Sequence, residues 1–128
     1  MIPFNHPYLT GNEIVNIQKV LENRKISGDG EFTKKCQAMF ERKLAMRKTL
    51  LTTSCTDALE MSAILLNIGP GDEVILPSYT FVSTANAFAL RGATLVFAGS
   101  PADQPNICPA DIERLITPRS RAIVVVHY

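Results

Sequence analysis

A chain of 128 residues with 46% hydrophobic and 20% charged residues has the composition of a compact globular domain, which excludes a disordered tail, a collagen-like fibre and a multidomain enzyme. Thirteen basic against twelve acidic residues leave a formal charge of +1, so no broad field is available to hold nucleic acid or an anionic membrane. Partners have to be met at local sites.

The first eight residues hold Pro3 and Pro7 and are expected to be extended. Thr10 and Glu13 form the T-x-x-E pattern of a capping box, and Ile14, Ile17 and Leu21 follow at spacings of three and four, which predicts a helix over 11–24. Ser27-Gly28-Asp29-Gly30 breaks that period as a loop. Phe32, Cys36, Phe40 and Leu44 then mark a second amphipathic helix. Core packing explains both apolar stripes, with a partner-subunit interface as the other use.

From residue 49 short apolar runs alternate with helical patterns, the signature of βαβ units. The division expected is a helical segment over 1–48 and an α/β domain over 49–128. Thr49–Thr53 is a strand candidate, Ser54 to Leu66 a helix, and Asn67–Asp72 a turn. Glu73–Leu76 is a strand stopped by Pro77, Phe81–Leu90 a helix that Gly92 is placed to end, and Thr94–Ala98 a further strand. A loop with Pro101 and Pro105 leads to a short helix near Ala110–Ile116. Ala122–Val126 is a fourth strand, apolar on both faces as a central parallel strand should be. The chain stops at its mouth, where a covering element is expected.

Three cysteines, Cys36, Cys55 and Cys108, are an odd number at long separations, which suits neither a disulfide framework nor a zinc site. No metal centre is expected. A reducing cytoplasm is the simpler setting, since no basic cluster precedes an apolar run and no stretch approaches the roughly 18 apolar residues of a membrane helix.

In open α/β sheets, ligands bind outside the carboxyl ends of the strands. Three such ends are chemically rich. Thr52-Thr53-Ser54-Cys55-Thr56-Asp57 lies at a strand-to-helix junction, where free backbone N–H groups and the helix dipole suit a phosphate dianion and the Ser54 and Thr56 hydroxyls add donors. The plainer reading is that Ser54 caps the helix and Asp57 offsets the dipole. Pro77-Ser78-Tyr79-Thr80-Phe81 sets two aromatics after a strand, as a wall for a flat heteroaromatic ligand or as core. His127-Tyr128 follows the last strand, where a histidine donates to a ligand or is merely structural.

These runs resemble the sugar aminotransferases of the DegT/DnrJ/EryC1/StrS family. The likeness is carried by Ile2-Pro3-Phe4-Asn5, by Ser27-Gly28-Asp29-Gly30 with Phe32, by Leu51 to Met61, by Pro70 to Ala87 and by Val126-His127-Tyr128. It implies the N-terminal part of a fold type I aminotransferase large domain, a three-layer αβα unit with a mostly parallel sheet, truncated before the small domain. Pyridoxal 5'-phosphate (PLP) is the implied cofactor. Ser54, Cys55 and Thr56 match the phosphate-holding positions and Phe81 the ring that stacks on the pyridine, with Tyr79 and His127 as further ligand-site residues. The implied partners are a second subunit in a homodimer, glutamate, and a nucleotide-linked sugar such as a dTDP-4-keto-6-deoxy sugar of surface-polysaccharide synthesis.

That chemistry needs a Schiff-base lysine and a carboxylate on the pyridinium nitrogen, and in the family both lie beyond Tyr128. Lys19, Lys25, Lys34, Lys35, Lys43 and Lys48 all precede the first predicted strand, so no catalytic residue is assigned within the chain. Gly99 and Cys108 also stand where the family usually has acidic residues, which predicts a differently held loop between them. An alternative from another class is a non-catalytic remnant that pairs with a full-length or complementing chain. A flavodoxin-like phosphate-binding domain is disfavoured, because the strands are too few. On this reading the chain is roughly a third of an enzyme.

Overall fold

The computed structural model describes residue 3 and residues 5–128. The extended start expected over residues 1–8 and the Ile2–Asn5 motif include residues 1, 2 and 4, which lie outside that set. The chain divides into two compact units, Met1–Leu51 and Thr52–Tyr128.

The first unit contains two helices, α1 (Glu13–Glu22) and α2 (Glu31–Lys43). The Glu13 carboxylate reaches back to the Thr10 N–H at 2.6 Å and the Gly11 N–H at 2.9 Å, one half of the expected capping box. The reciprocal half is replaced, because Asn12 occupies the N-cap and the Thr10 hydroxyl donates to Glu13 instead. The Thr10 N–H is the first cause that holds the Glu13 carboxyl down, at about 2. Neither helix has a buried residue, so the core packing expected of both stripes is absent among the described residues. Ile14, Ile17 and Leu21 all remain more than half exposed.

The second unit is a three-layer α/β structure. It runs α3 (Cys55–Leu65), β1 (Glu73–Pro77), α4 (Val82–Ala89), β2 (Thr94–Ala98), α5 (Pro109–Leu115) and β3 (Ser120–Ile123). The sheet is parallel, in the order β2-β1-β3. Central β1 is buried along its whole length, and its alternate side chains serve two cores. Val74 packs with Ala63, Ile68, Ala87 and Phe88 under α3 and α4. Ile75 packs with Ala98 and Ile107, flanked by Ile112 and Leu115 of α5.

Helices α3 and α4 end alike. Ile68 and Asn67 donate back to Ala63 and Ile64, and Ala93 and Gly92 donate to Phe88 and Ala89. Each is a Schellman closure around a left-handed residue, Asn67 at φ 52° and Gly92 at φ 86°. At Gly92 a Cβ would also meet the Pro70 ring at 3.0 Å, so the position requires glycine twice over.

Two strand expectations are corrected. Thr49–Thr53 is not a strand: its pattern suits one, but no neighbouring strand supplies a ladder among the described residues, and a strand is defined by that pairing. The last strand begins at Ser120 and ends at Ile123, two residues earlier at the start and three earlier at the end than Ala122–Val126. It lies at the edge of the three strands, with Ile123 and Val125 about half exposed, so one of its faces is open. Its beginning is tied to β1 by buried Glu73, which accepts from Thr117 Oγ1 at 2.5 Å and Arg119 Nε at 2.9 Å. The Thr117 hydroxyl first, and Arg119 after it, hold the Glu73 carboxyl below its ordinary value.

Candidate functional site

Three parallel strands direct all their carboxyl ends to one edge. The chain leaves β1 toward α4 on one face and leaves β2 toward α5 on the other. Adjacent strands whose connections part in this way open a crevice between them, the usual ligand position in open α/β sheets. Helix α3 feeds β1 through the short turn 66–72 and therefore runs back against it. Its 11 residues and the 5 of β1 each span about 16 Å, and Ala63 near its end packs in one cluster with Val74 near the start of β1.

The α3 N-terminus is capped by Ser54, whose Oγ accepts from the Asp57 N–H at 3.1 Å. The helical ladder begins with the Ala58 N–H on the Ser54 carbonyl at 3.2 Å. Cys55 and Thr56 keep first-turn N–H groups to which the helix offers no acceptor. Thr52 Oγ1 steadies the approach by donating to the Ser54 carbonyl at 2.7 Å. Thr53 Oγ1 donates to the Asp57 carboxylate. That hydroxyl first, and Ser54 after it, hold the Asp57 carboxyl below the usual range, so Asp57 is ionised at neutral pH. No lysine or arginine occurs between Thr52 and Leu90. The site's donors here are neutral ones, aimed by the helix end.

At the end of β1 the aromatics are on the surface and not in the core. Phe81 is the residue before α4 and is 74% exposed. The Tyr79 ring lies 5.1 Å from that of Tyr128, centroid to centroid and tilted by 39°, a geometry favourable to aromatic pairs. Tyr79 also shares an open cavity of about 370 Å³ with the loop Ser100–Pro105 that follows β2. His127 is exposed, in phase with Ile123 and Val125 along the extended chain. The structure thus brings Tyr79 and Tyr128 together beyond the carboxyl end of β1, and leaves His127 without a fixed partner among the described residues.

The loop after β2 is held by ties that sequence reasoning missed. Its base is closed by the Cys108 N–H on the Gly99 carbonyl at 2.9 Å, and its interior by Ser100 Oγ on the Pro105 carbonyl at 2.9 Å. The Gly99 N–H donates to Asp111 Oδ2 at 3.2 Å. A Cβ on residue 99 would meet that oxygen at 2.9 Å, so glycine is what lets Asp111 come in. Asp111 holds the loop in a way that neither Gly99 nor Cys108 could. Asn106 Oδ1 accepts from the Tyr128 N–H at 3.0 Å.

All six lysines fall within Met1–Leu51, and Thr52–Tyr128 contains none. Among the described residues no group of His, Cys, Asp and Glu is arranged to hold a metal ion. No helix among them is long and apolar enough to cross a membrane.

The parallel sheet between helical layers matches the N-terminal part of fold type I PLP-dependent aminotransferases. The aminotransferase TlmJ from Streptoalloteichus hindustanus matches with a TM-score of 0.87 and 35% identity over 100% of this chain and 35% of its own. Spr1654 from Streptococcus pneumoniae, assigned as a sugar aminotransferase and solved in its PLP form, matches with a TM-score of 0.80 and 32% identity over 95% of this chain and 31% of its own. An aminotransferase from Psychrobacter cryohalolentis gives 0.85 and 28% identity over 98% and 32%. Residues 7–128 match the DegT/DnrJ/EryC1/StrS aminotransferase family, and the chain belongs to that family. It spans about a third of the length of these solved relatives.

Proposed function

We propose that these residues form the phosphate-holding and ring-facing portion of a PLP-dependent nucleotide-sugar aminotransferase. In this reading it moves an amino group from glutamate to a dTDP-4-keto-6-deoxy sugar for surface-polysaccharide synthesis, in the cytoplasm. Residues 1–48 are its N-terminal helical segment and residues 49–128 the first part of its large domain. The assembled enzyme is a homodimer with active sites between subunits.

The feature that carries the reading is the first turn of α3, where the Cys55 and Thr56 N–H groups have no acceptor within the helix, together with the exposed Phe81 that follows β1. PLP, when bound, supplies an electron sink for the carbon next to the transferred nitrogen. The chain's own residues bind and orient. The Cys55 and Thr56 N–H groups donate to the phosphate, the Ser54 and Thr56 hydroxyls add directed donors, and the helix dipole favours the anion. Phe81 offers a face for offset stacking. Tyr79 and His127 border the approach. Because the nearby donors are neutral and Asp57 is ionised, affinity for the phosphate rests on direction more than on opposite charge.

The Schiff-base lysine has to come from outside Thr52–Tyr128, since that unit has no lysine, and the family resemblance assigns the pyridinium carboxylate to neither unit. The 128-residue chain mixed with PLP, glutamate and a dTDP-4-keto-6-deoxy sugar is therefore expected to show no turnover, and a cofactor-dependent rate contradicts the assignment. Binding is tested with pyridoxamine 5'-phosphate, which has no aldehyde to be captured by exposed lysines, through quenching of tyrosine fluorescence. Saturable binding is expected, weakened about tenfold each by Thr56→Val and Phe81→Ala. Absence of saturable binding, or binding indifferent to both changes, overturns the proposal.

A further inference from the structure

The chain beyond β3 is held in an unusual way. The last ladder bond is the Val124 N–H on the Ile75 carbonyl at 2.8 Å. The next backbone tie is four residues on, where the Tyr128 N–H meets the Asn106 side chain at 3.0 Å. Between these points the extended segment has no strand partner among the described residues. Asn106 does at Tyr128 what another ladder rung would do.

Asn106 is suited to that work because its own loop is rigid. The Cys108–Gly99 bond closes the loop at its base, Ser100 ties across it to Pro105, and Asp111 holds the Gly99 N–H. Buried Ile107, next in sequence, plugs the loop into the α5-side core. Asn106 is thus a half-buried acceptor fixed from both sides. What it fixes in turn is the Tyr128 ring, which lies 5.1 Å from the Tyr79 ring, with the phenol oxygen 3.5 Å from the Tyr79 carbonyl.

We infer that Asn106 is a positioning residue of the ligand site: through the Tyr128 backbone it sets the Tyr79–Tyr128 pair as a fixed aromatic border on the crevice between the ends of β1 and β2. The relevance of that border to a ligand rests on the function proposed above. The placement of Tyr128 by Asn106 does not. Loop 99–108 thereby couples the end of β2 to the end of β3 across β1, so the three strand ends act as one surface.

The test compares the wild-type chain with Asn106→Ala and Asn106→Asp, the second of which keeps an oxygen acceptor. With no tryptophan in the chain and the third tyrosine, Tyr8, 89% exposed, the ordered tyrosine signal in near-ultraviolet circular dichroism comes from the Tyr79–Tyr128 pair. Asn106→Ala is expected to lose that tyrosine signal and to speed exchange of the Tyr128 amide about fivefold, with far-ultraviolet dichroism unchanged. Asn106→Asp is expected to retain both. A wild-type signal in Asn106→Ala, or equal loss in both variants, overturns the inference. Should Asn106→Ala fail to fold, Tyr128→Phe and Tyr79→Leu decide it: the tyrosine signal must fall in both, and a full signal in either refutes the pair. Pyridoxamine phosphate then separates the two proposals. Binding to wild type weakened severalfold in Asn106→Ala supports both. Unchanged binding in a variant that has lost the pair removes Asn106 from the ligand site, while no binding to wild type with the dichroism behaving as expected overturns the function alone.

Discussion

The two units of this chain differ in what holds them. Thr52–Tyr128 buries two apolar clusters on opposite faces of β1. Met1–Leu51 has its helices and several polar ties, among them the Lys48–Glu41 pair at 3.4 Å and the Thr49 N–H on Glu41 at 3.0 Å, but neither helix contributes a buried side chain. Exposed ion pairs and caps are each worth about 1 kcal/mol or less. A filled core is worth several times that per side chain. Every donor and ring of the candidate site lies in the unit with the core, and every lysine lies in the other. The candidate site residues and the lysines are thus segregated along the sequence, while Arg91, Arg114, Arg119 and Arg121 lie in the sheet unit.

The strongest way to break the comparison is to truncate one apolar side chain in each unit. Phe88, 2% exposed between the α3 and α4 layer and the sheet, is expected to cost about 3–5 kcal/mol on Phe88→Ala in urea unfolding. Ile17, 54% exposed on α1, is expected to cost less than about 1 kcal/mol on Ile17→Ala. Equal costs would mean that the helical unit is held as firmly as the sheet.

Next in size is the loop after β2. Gly99→Asp places a carboxylate where a Cβ alone already meets Asp111 Oδ2 at 2.9 Å, and is expected to lower stability by about 1–2 kcal/mol. Adding Asp111→Asn should recover most of that loss, because repulsion and not volume dominates. Failure of the second change to recover anything contradicts the role given to Asp111. Smaller again is Ser54→Ala, which removes the cap on the Asp57 N–H and is expected to cost about 1 kcal/mol. Like Thr56→Val it removes one hydroxyl and leaves the Cys55 and Thr56 N–H groups in place, so pyridoxamine phosphate binding should fall by a similar factor.

The gentlest effect is the response to acid, which both units share. Glu13 and Glu73 are held below the ordinary 4.5, Glu13 at about 2. The unfolded chain therefore binds more protons than the folded one at mild acidity, and stability falls with pH there. The stabilisation is complete above about pH 4.5 and is lost as pH drops through each depressed value. Urea midpoints measured downward from neutral pH should show that slope, and Glu73→Gln should flatten it. A slope of opposite sign contradicts both ties.

Much of the sheet unit is readable in the chain because its signals are local. Thr94–Ala98 is an apolar run between turn residues, and Asn67 and Gly92 mark helix ends that depend on one residue's backbone freedom. Thr49–Thr53 reads as a strand for the same local reason and is none, since pairing is a property of a neighbour and not of the segment. The amphipathic stripes of α1 and α2 are plain in the sequence, but periodicity does not say what covers a face. At the site, Ser54, Cys55 and Thr56 stand out in the sequence as following a strand at Thr49–Thr53 that does not form, whereas Tyr79 and Phe81 do follow β1. The ties of the loop after β2 are not legible, because Asp111 and Asn106 act across 12 and 22 residues through contacts that exist only once the sheet has formed.

The central claim is that the sheet unit alone contains the phosphate-and-ring portion of the cofactor site. Amide NMR of the 128-residue chain during titration with pyridoxamine 5'-phosphate tests it most directly. Saturable shifts at Cys55, Thr56 and Phe81, with α1 and α2 unmoved, are predicted. Shifts confined to the lysine-bearing helices, or none at the start of α3, would contradict it.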